Sequence, residues 1–197
     1  MATVETKLMT AEEFYEWANR PENRDKNCEL VRGEVVEMSR PGKRHGLICA
    51  NVVRILGNFA VQRKKGYVCS NDTGVIVERN PDTVRGPDVL WFEDAADYEQ
   101  VELKYGEKPP LFAVEVLSPN DTAGDLNRRI REQLRLGTRL VWVLDPEVRT
   151  VTVFAADQYR VYDDTEELTG GDVLPDFHCR VAEFFALPGQ GPEAKQA

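Results

Sequence analysis

Two short apolar segments that each carry one acid constrain the fold of this chain more than any other feature. Residues 86–92 (Gly-Pro-Asp-Val-Leu-Trp-Phe) and 111–117 (Leu-Phe-Ala-Val-Glu-Val-Leu) are rich in β-forming side chains and are bounded by Gly or Pro. Such runs are typical of buried strands. An ionised carboxylate inside a buried strand is costly unless a partner compensates it. We therefore expect Asp88 and Glu115 to lie on neighbouring central strands, where a shared cation would remove that cost.

Composition and length indicate an ordinary globular protein. The 197 residues suffice for one domain. We predict a single domain over residues 1–187 and a disordered, Pro/Gly-rich tail over residues 188–197. The four cysteines form no C-x-x-C pair, which favours reduced thiols and a cytoplasmic location. No segment has the pattern of a membrane span or a signal peptide, so no membrane partner is expected.

The order of the segments predicts an α+β fold with a mixed central β-sheet flanked by helices. A capping box at Thr10 begins the first helix, and Gly66 and Gly137 are expected to end the two longer ones. Helices are predicted at about 11–18, 44–65, 123–136 and 181–187. Strands are predicted at 28–31, 34–38, 67–70, 75–78, 86–92, 111–117, 139–144, 150–154 and 158–162, with a turn at 80–84 and a loop at 93–110. The β-α-β unit over residues 112–144 should be a right-handed crossover between parallel strands.

The helix at 123–136 has an inward edge that carries two polar residues. Leu126, Ile130 and Leu134 recur at helical spacing and are expected to face the core, with Arg129 and Gln133 beside them. The other charged residues of this helix, Glu132 included, are expected on its outer face. The crossover would bring the inward edge back over the strand that carries Glu115.

Two acids and one cationic side chain at one place form the layout of a metal-assisted phosphodiester-cleaving site. Carboxylates hold Mg²⁺, which activates water and stabilises charge on the phosphate. A nearby cationic group neutralises the transition state. The net charge of −9 argues mildly against avid, non-specific binding of nucleic acid, although arginines and lysines cluster locally.

These segments resemble the PD-(D/E)xK nuclease superfamily and, over residues 8–187, more closely the Uma-two family of restriction-endonuclease-like proteins. The superfamily resemblance lies in Pro87-Asp88, then Val114-Glu115-Val116, then a helix. The segments that match the Uma-two family are residues 29–36, 39–41 with His45, 72–75, 87–89, 114–119 and 137–146. Each motif is weak alone, and their order and spacing together make the resemblance specific.

The resemblance implies a restriction-endonuclease-like fold, Mg²⁺-dependent cleavage of DNA (Mn²⁺ substituting) and a homodimer. It implies Asp88 and Glu115 as metal ligands, with Val116 as a third. The superfamily's usual lysine would stand two residues after Glu115, where this chain has Leu117. In the Uma-two family that lysine lies on the following helix, and the matching position here is Arg129. Arginine keeps the charge but cannot lose its proton.

Two functions therefore stand beside each other at this point. The first is a Mg²⁺-dependent DNA endonuclease. The alternative is a catalytically impaired, non-cleaving nucleic-acid-binding protein of the same fold. Each acid also has a structural alternative to metal binding. Asp88 would cap backbone N–H groups in a turn, and Glu115 would form a structural ion pair with Arg129.

Three further polar residues are candidates for the same site. Glu34 is either an exposed hairpin acid or an additional acid of the site, as some nucleases of the superfamily take one from an early element. His45 is either a satisfied histidine on an apolar helix face or a site residue. Gln133 is interpreted as a polar helix residue that supports the site.

Overall fold

A computed structural model of the chain describes residues 8–156 and 158–187. The tail predicted over residues 188–197 lies outside the described residues. The helices are α1 (Ala11–Ala18), α2 (Lys43–Arg63), α3 (Ala123–Leu136) and α4 (Ala182–Phe185), with a 3-10 helix at Tyr98–Gln100. The strands are β1 (Cys28–Val31), β2 (Glu34–Glu37), β3 (Tyr67–Ser70), β4 (Val75–Glu78), β5 (Thr83–Arg85), β6 (Val89–Phe92), β7 (Phe112–Val116), β8 (Leu140–Asp145), β9 (Thr150–Ala155), β10 (Gln158–Tyr162), β11 (Glu167–Gly170) and β12 (Leu174–Arg180). Among the described helices, none combines the length and the apolar character needed to cross a bilayer.

A six-stranded mixed sheet forms the centre of the fold, with the order β10-β9-β8-β7-β6-β3. Strands β7 and β8 are parallel and α3 connects them, while the other neighbouring pairs of this sheet are antiparallel. The α+β fold with a mixed sheet and the parallel β-α-β unit are therefore confirmed. The antiparallel register pairs Val89 with Val114. Continued by one residue, this register places Asp88 opposite Glu115.

The two faces of the sheet pack against different helices, and this decides where Glu115 points. Phe112, Val114 and Val116 of β7 belong to the larger core, together with apolar residues of α2 and α4. Ala113 belongs to a second, smaller core, to which α3 and β4 also contribute. Because side chains alternate along a strand, Glu115 shares the α3 face with Ala113.

A second, four-stranded sheet (β2-β1-β5-β4) carries α1 and forms the other wall of the cleft described below. The turn predicted over residues 80–84 is wrong at its end, because Thr83–Arg85 forms β5 inside this sheet. All three residues of β5 are buried. The hydrophobic pattern did not predict this strand because the strand contains the charged Arg85. Arginine is almost never fully buried unless it is paired.

The chain after β10 contains a two-stranded sheet, β11–β12, that the sequence analysis did not predict. Leu168, Leu174 and Phe177 of this hairpin enter the larger core. The helix predicted at 181–187 is shorter, and Asn51 of α2 fixes its end. The Asn51 side-chain amide donates to the backbone oxygens of Phe184 and Ala186 at 3.0 and 2.8 Å.

The end of α2 differs from its prediction in one respect. The helix ends at Arg63, and Lys64 rather than Gly66 is the C-cap, in the left-handed conformation (φ 53°). Gly66 also has a positive φ of 79°, and a Cβ atom there would lie 2.5 Å from the indole of Trp91. Glycine is therefore required at residue 66 for the approach to the sheet and not for ending the helix.

Candidate functional site

An acidic cleft of about 400 Å³ lies where the second sheet meets the ends of β6 and β7. Its wall is completed by the beginnings of α2 and α3. Seven acids and three arginines line it: Glu29, Glu37, Asp72, Asp88, Glu115, Asp121, Asp125, Arg85, Arg128 and Arg129. The surplus of carboxylates gives the cleft a negative potential, which favours cations.

Asp88, which directly precedes β6, links that strand to β7 at the floor of the cleft. Its Oδ2 accepts a hydrogen bond from the backbone N–H of Val116 at 2.7 Å. Its Oδ1 lies 3.2 Å from Nε2 of His45. The structural alternative for Asp88 is that it caps backbone N–H groups of a local turn. Asp88 does accept a backbone N–H, but the donor belongs to the neighbouring strand. Asp88 is therefore held in a fixed orientation beside Glu115.

Glu115 is a carboxyl group in a nearly dry position. It is only 7% exposed. Burial raises its pKa to about 8, the charges of Asp88, Glu29 and Asp121 act in the same direction, and Arg129 opposes them. A group with this pKa in a cleft is typical of functional sites, although structural ion pairs can also produce such a shift.

Arg129 reaches Glu115 from α3, as the helical spacing predicted. Its Nε donates to Glu115 Oε2 at 3.1 Å, and its Nη2 donates to Asp121 Oδ1 at 2.9 Å. The helix is positioned at its start by Thr122, whose Oγ1 accepts from the N–H of Asp125 at 3.1 Å. The ion pair proposed as the structural alternative for Glu115 is thus present within the cleft itself.

His45 lies in the cleft, at the first turn of α2, and not on a purely apolar face. The hydrogen bond to Asp88 raises the pKa of His45, whereas burial acts in the opposite direction. The other ring nitrogen, Nδ1, lies 3.5 Å from Sγ of Cys49. His45 therefore contacts one acid of the site directly.

A buried ion network that sequence reasoning missed supports the loop before Asp88. Arg85, 5% exposed, donates from Nη1 to Glu29 Oε2 at 2.7 Å and from Nε to Glu132 Oε2 at 2.7 Å. Glu29 Oε1 in turn accepts the N–H of Gly86 at 3.0 Å. The expectation that Glu132 faces outward is wrong, because Arg85 draws it toward the cleft. Glu29 carried the same signal as Glu115, an acid within an apolar strand.

Two candidates lie away from the cleft. Glu34 is exposed on β2 and is not part of the cleft lining. Gln133 is 1% exposed, and its Oε1 accepts from the hydroxyl of Thr138 at 3.1 Å. Within the described part of the chain, its Nε2 has no hydrogen-bond partner. Neither residue is brought to Asp88 and Glu115, so any role at the site would be indirect.

The donor set of the cleft suits a hard divalent cation. Mg²⁺ prefers oxygen ligands and uses one or two carboxylates together with waters and phosphate oxygens. Asp88, directly before β6, and Glu115 of β7 offer two carboxylates, and Val116 could contribute only a backbone carbonyl. A dication would also offset the charge and the desolvation that raise the pKa of Glu115. The residues present therefore fit such an ion.

Comparison with known proteins identifies the family. The Uma2 family model, described as "Putative restriction endonuclease", matches residues 11–182. A crystal structure described as that of "a putative nuclease belonging to DUF820 from Anabaena variabilis ATCC 29413" is similar in fold, with a TM-score of 0.75 and 19% sequence identity over 90% of this chain and 97% of that chain. No curated protein matches the chain. The family model covers most of the chain, which therefore belongs to the Uma2 family of restriction-endonuclease-like proteins.

Proposed function

We propose that this protein is a Mg²⁺-dependent endonuclease that hydrolyses phosphodiester bonds of DNA, with Mn²⁺ able to substitute. The observation that carries the proposal is that Asp88, directly before β6, and Glu115 of β7 line one acidic cleft, with Arg129 on Glu115. The description of the family and that of the similar crystal structure, both of nucleases, point in the same direction.

The chain's own residues would act by position and charge. Asp88 is held by the N–H of Val116 and by His45, so its carboxylate is oriented before any ligand arrives. Arg129 supplies fixed positive charge where negative charge develops on a phosphate. Asp88 and Glu115, with the carbonyl of Val116, would hold the cation. When bound, the divalent ion supplies activation of water and stabilisation of phosphate charge.

We further propose that residues 1–187 act as one domain, that the protein is cytoplasmic and that it works as a homodimer. The four-stranded and six-stranded sheets both contribute residues to the lining of one cleft, which supports one domain. Four scattered free cysteines support a reducing compartment. Symmetric dimers present two sites to the two strands of a duplex. Sedimentation analysis with and without DNA tests the dimer.

A plasmid-nicking assay tests the activity. Supercoiled DNA incubated with the protein and millimolar Mg²⁺ or Mn²⁺ should be converted to nicked or linear forms, and EDTA should prevent this. Asp88→Asn should abolish conversion. Glu34→Gln is the matched control, because it removes an acid from the neighbouring hairpin outside the cleft, and it should cut like the parent. If no DNA form is cut in an Asp88-dependent way, the proposal is wrong.

A specific contact favours the second candidate, a non-cleaving DNA-binding protein of the same fold. Arg129 is already occupied by two carboxylates, Glu115 and Asp121, and arginine cannot give up its proton. Arg129→Lys restores the residue type that the family resemblance places here. Cleavage by the Arg129→Lys variant alone would identify a lapsed nuclease, whereas binding without cutting by both proteins would support the second candidate.

A further inference from the structure

Three side chains of different chemistry meet at the edge of the cleft, on the α2 side. His45 and Cys49 are one helical turn apart on α2 and therefore lie on the same face. Nδ1 of His45 lies 3.5 Å from the thiol of Cys49, and Nε2 lies 3.2 Å from Asp88 Oδ1. One nitrogen, one sulfur and one oxygen from these residues lie within 4.8 Å of one another. Cys49 contacts His45 but is not part of the cleft lining.

The electrostatic surroundings of this cluster favour a cation. The carboxylates of Asp88 and Asp72 act electrostatically on both His45 and Cys49. Their negative charge attracts a dication, and a bound dication stabilises the thiolate outright.

We propose that His45, Cys49 and Asp88 form a binding site for a thiophilic divalent cation such as Zn²⁺, distinct in chemistry from the oxygen-ligand site of Asp88 and Glu115. Mixed nitrogen, sulfur and carboxylate ligands select zinc-like ions, whereas Mg²⁺ has no affinity for sulfur. Binding forms a metal–sulfur bond and releases the thiol proton to solvent. Three protein ligands leave one tetrahedral position open for water.

The geometry requires only a local adjustment. Bonds of about 2.0–2.3 Å in a tetrahedral arrangement place ligand atoms roughly 3.3–3.6 Å apart. The cluster spans at most 4.8 Å. A contraction of at most about 1.2–1.5 Å, within the reach of side-chain torsions, brings it to tetrahedral dimensions. The ring of His45 would bind the ion through one nitrogen, and its direct contact with the side chain now next to that nitrogen would be replaced by the shared ion.

The site has a regulatory consequence that rests on the proposed nuclease function. Asp88 belongs to both ligand sets, so an ion bound to the thiol and the imidazole would compete with Mg²⁺ for Asp88. Zn²⁺ would therefore inhibit cleavage, and loss of the Cys49 thiol would relieve that inhibition.

Co²⁺ spectroscopy tests the site without reference to activity. Titration of the protein with Co²⁺ should produce intense tetrahedral d–d bands and a thiolate-to-cobalt charge-transfer band, both displaced by Zn²⁺. Cys49→Ser should abolish the charge-transfer band and weaken Zn²⁺ binding at least about tenfold, since even outer-shell ligand partners matter that much. Cys69→Ser is the matched control, because Cys69 is also a half-buried free thiol but lies on β3. It should leave the spectrum unchanged.

A second measurement uses the unaltered protein. Zn²⁺ should protect Cys49, and not Cys69, from alkylation detected by mass spectrometry. Bands of octahedral Co²⁺ without charge transfer, or equal protection of both thiols, would overturn the proposal. In the nicking assay, Zn²⁺ should inhibit the parent far more than Cys49→Ser. If the protein cuts no DNA but shows the charge-transfer band, the proposed nuclease function is wrong and the proposed metal site stands.

Discussion

At the scale of single residues, Glu115 carries the strongest conflict between burial and charge in the cleft. Its carboxyl is nearly inaccessible to water, and this burial, together with the acids around it, outweighs the attraction of Arg129, so its pKa is raised to about 8. At neutral pH and without metal, the carboxyl therefore holds its proton in most molecules. Glutamine has nearly the same shape and hydrogen-bonding groups as that protonated form.

Glu115→Gln should consequently melt at or slightly above the parent in EDTA at neutral pH. Millimolar Mn²⁺ should raise the melting temperature of the parent and leave that of the variant unchanged. The parent's gain is a linkage effect of about 2.7 kcal/mol when the ion is at a hundred times its dissociation constant. Differential scanning calorimetry of both proteins, with EDTA and with Mn²⁺, measures the two differences.

The opposite result has a clear meaning. If the contact with Arg129 is a fully charged structural pair, Glu115→Gln leaves a buried cation with one partner fewer and costs roughly 3–5 kcal/mol. A strongly destabilised variant, together with a parent that does not respond to metal, would place Glu115 in a salt bridge and not in a metal site.

The site residues differ in how far the sequence could predict them. Asp88, Glu115 and Arg129 were predictable, because an acid in an apolar run and a cation on the inward edge of a helix are local patterns. Asp72 and Cys49 were not, since their approach to Asp88 depends on how α2 and the β3–β4 turn pack. Such contacts join residues far apart in the chain and leave no periodic signal.

At the scale of elements, Arg85 joins β1, β5 and α3 through Glu29 and Glu132. All three charges are removed from most of the solvent, with side-chain exposures of 6% for Arg85, 10% for Glu29 and 14% for Glu132. Because Glu29 also accepts the N–H of Gly86, the network fixes the loop that leads to Asp88. The energetic importance of such a network lies in the cost of breaking it.

Arg85→Met should destabilise the fold by about 3–5 kcal/mol, because two buried carboxylates lose their partner. Chemical denaturation at neutral pH measures this difference. Arg160→Met is the control. Arg160, on β10, forms an exposed pair with Glu166, so this substitution should cost no more than about 1 kcal/mol of stability. Equal effects of the two substitutions would contradict a structural role for the network.

A second electrostatic contact fixes α1 to the four-stranded sheet. Asp82 accepts the N–H of Ala11 at 2.8 Å and pairs with Arg79 at 2.6 Å. Burial alone would raise the pKa of Asp82, but these bonds hold it below its usual value. A lowered pKa in the folded state stabilises the protein above the unfolded pKa of about 3.9. This contribution is lost as the pH falls through the folded value.

Asp82→Asn should therefore be less stable than the parent by about 1.5–3 kcal/mol at neutral pH, the range for hydrogen bonds to charged groups. The difference should stay constant down to about pH 5 and shrink below about pH 4. Urea unfolding over this range measures it. Asp172→Asn, an exposed acid, provides the baseline and should show no difference at any pH. A deficit that grows on acidification would contradict the assignment.

The elements themselves were predictable where periodicity was strong. The capping box at Thr10, the amphipathic α3 and the apolar β7 and β8 all lie close to their predicted bounds. The strand predicted at 86–92 begins only at Val89, so Asp88 lies just before it. Strands β5 and β12 were missed for physical reasons. The buried Arg85 interrupts the hydrophobic pattern of β5. Pro175 lies within β12, although proline is normally absent from the interior of a strand. Tertiary contacts override the local signal in both.

At the scale of the whole molecule, charge opposes the proposed substrate. The chain carries −9, and acids outnumber arginines in the cleft. The arginines are also engaged, because Arg85, Arg128 and Arg129 each pair with an acid of the cleft. If the protein acts on DNA as proposed, contact with phosphate should therefore depend on added cations more than on the protein surface, and we expect binding to be both metal-dependent and salt-dependent.

The double variant Asp72→Asn/Asp88→Asn tests this balance. It removes two negative charges from the cleft, each worth about 1 kcal/mol against a phosphate 4 Å away in water. Affinity for DNA in EDTA should therefore rise by up to about thirtyfold at low salt, while Mg²⁺ should no longer strengthen binding or support cleavage. Glu22→Gln/Glu99→Gln changes the net charge equally, but both residues are exposed and outside the cleft lining. Fluorescence anisotropy should show little effect of this second pair. Equal gains from both pairs would mean that net charge, and not the cleft, governs the approach of DNA.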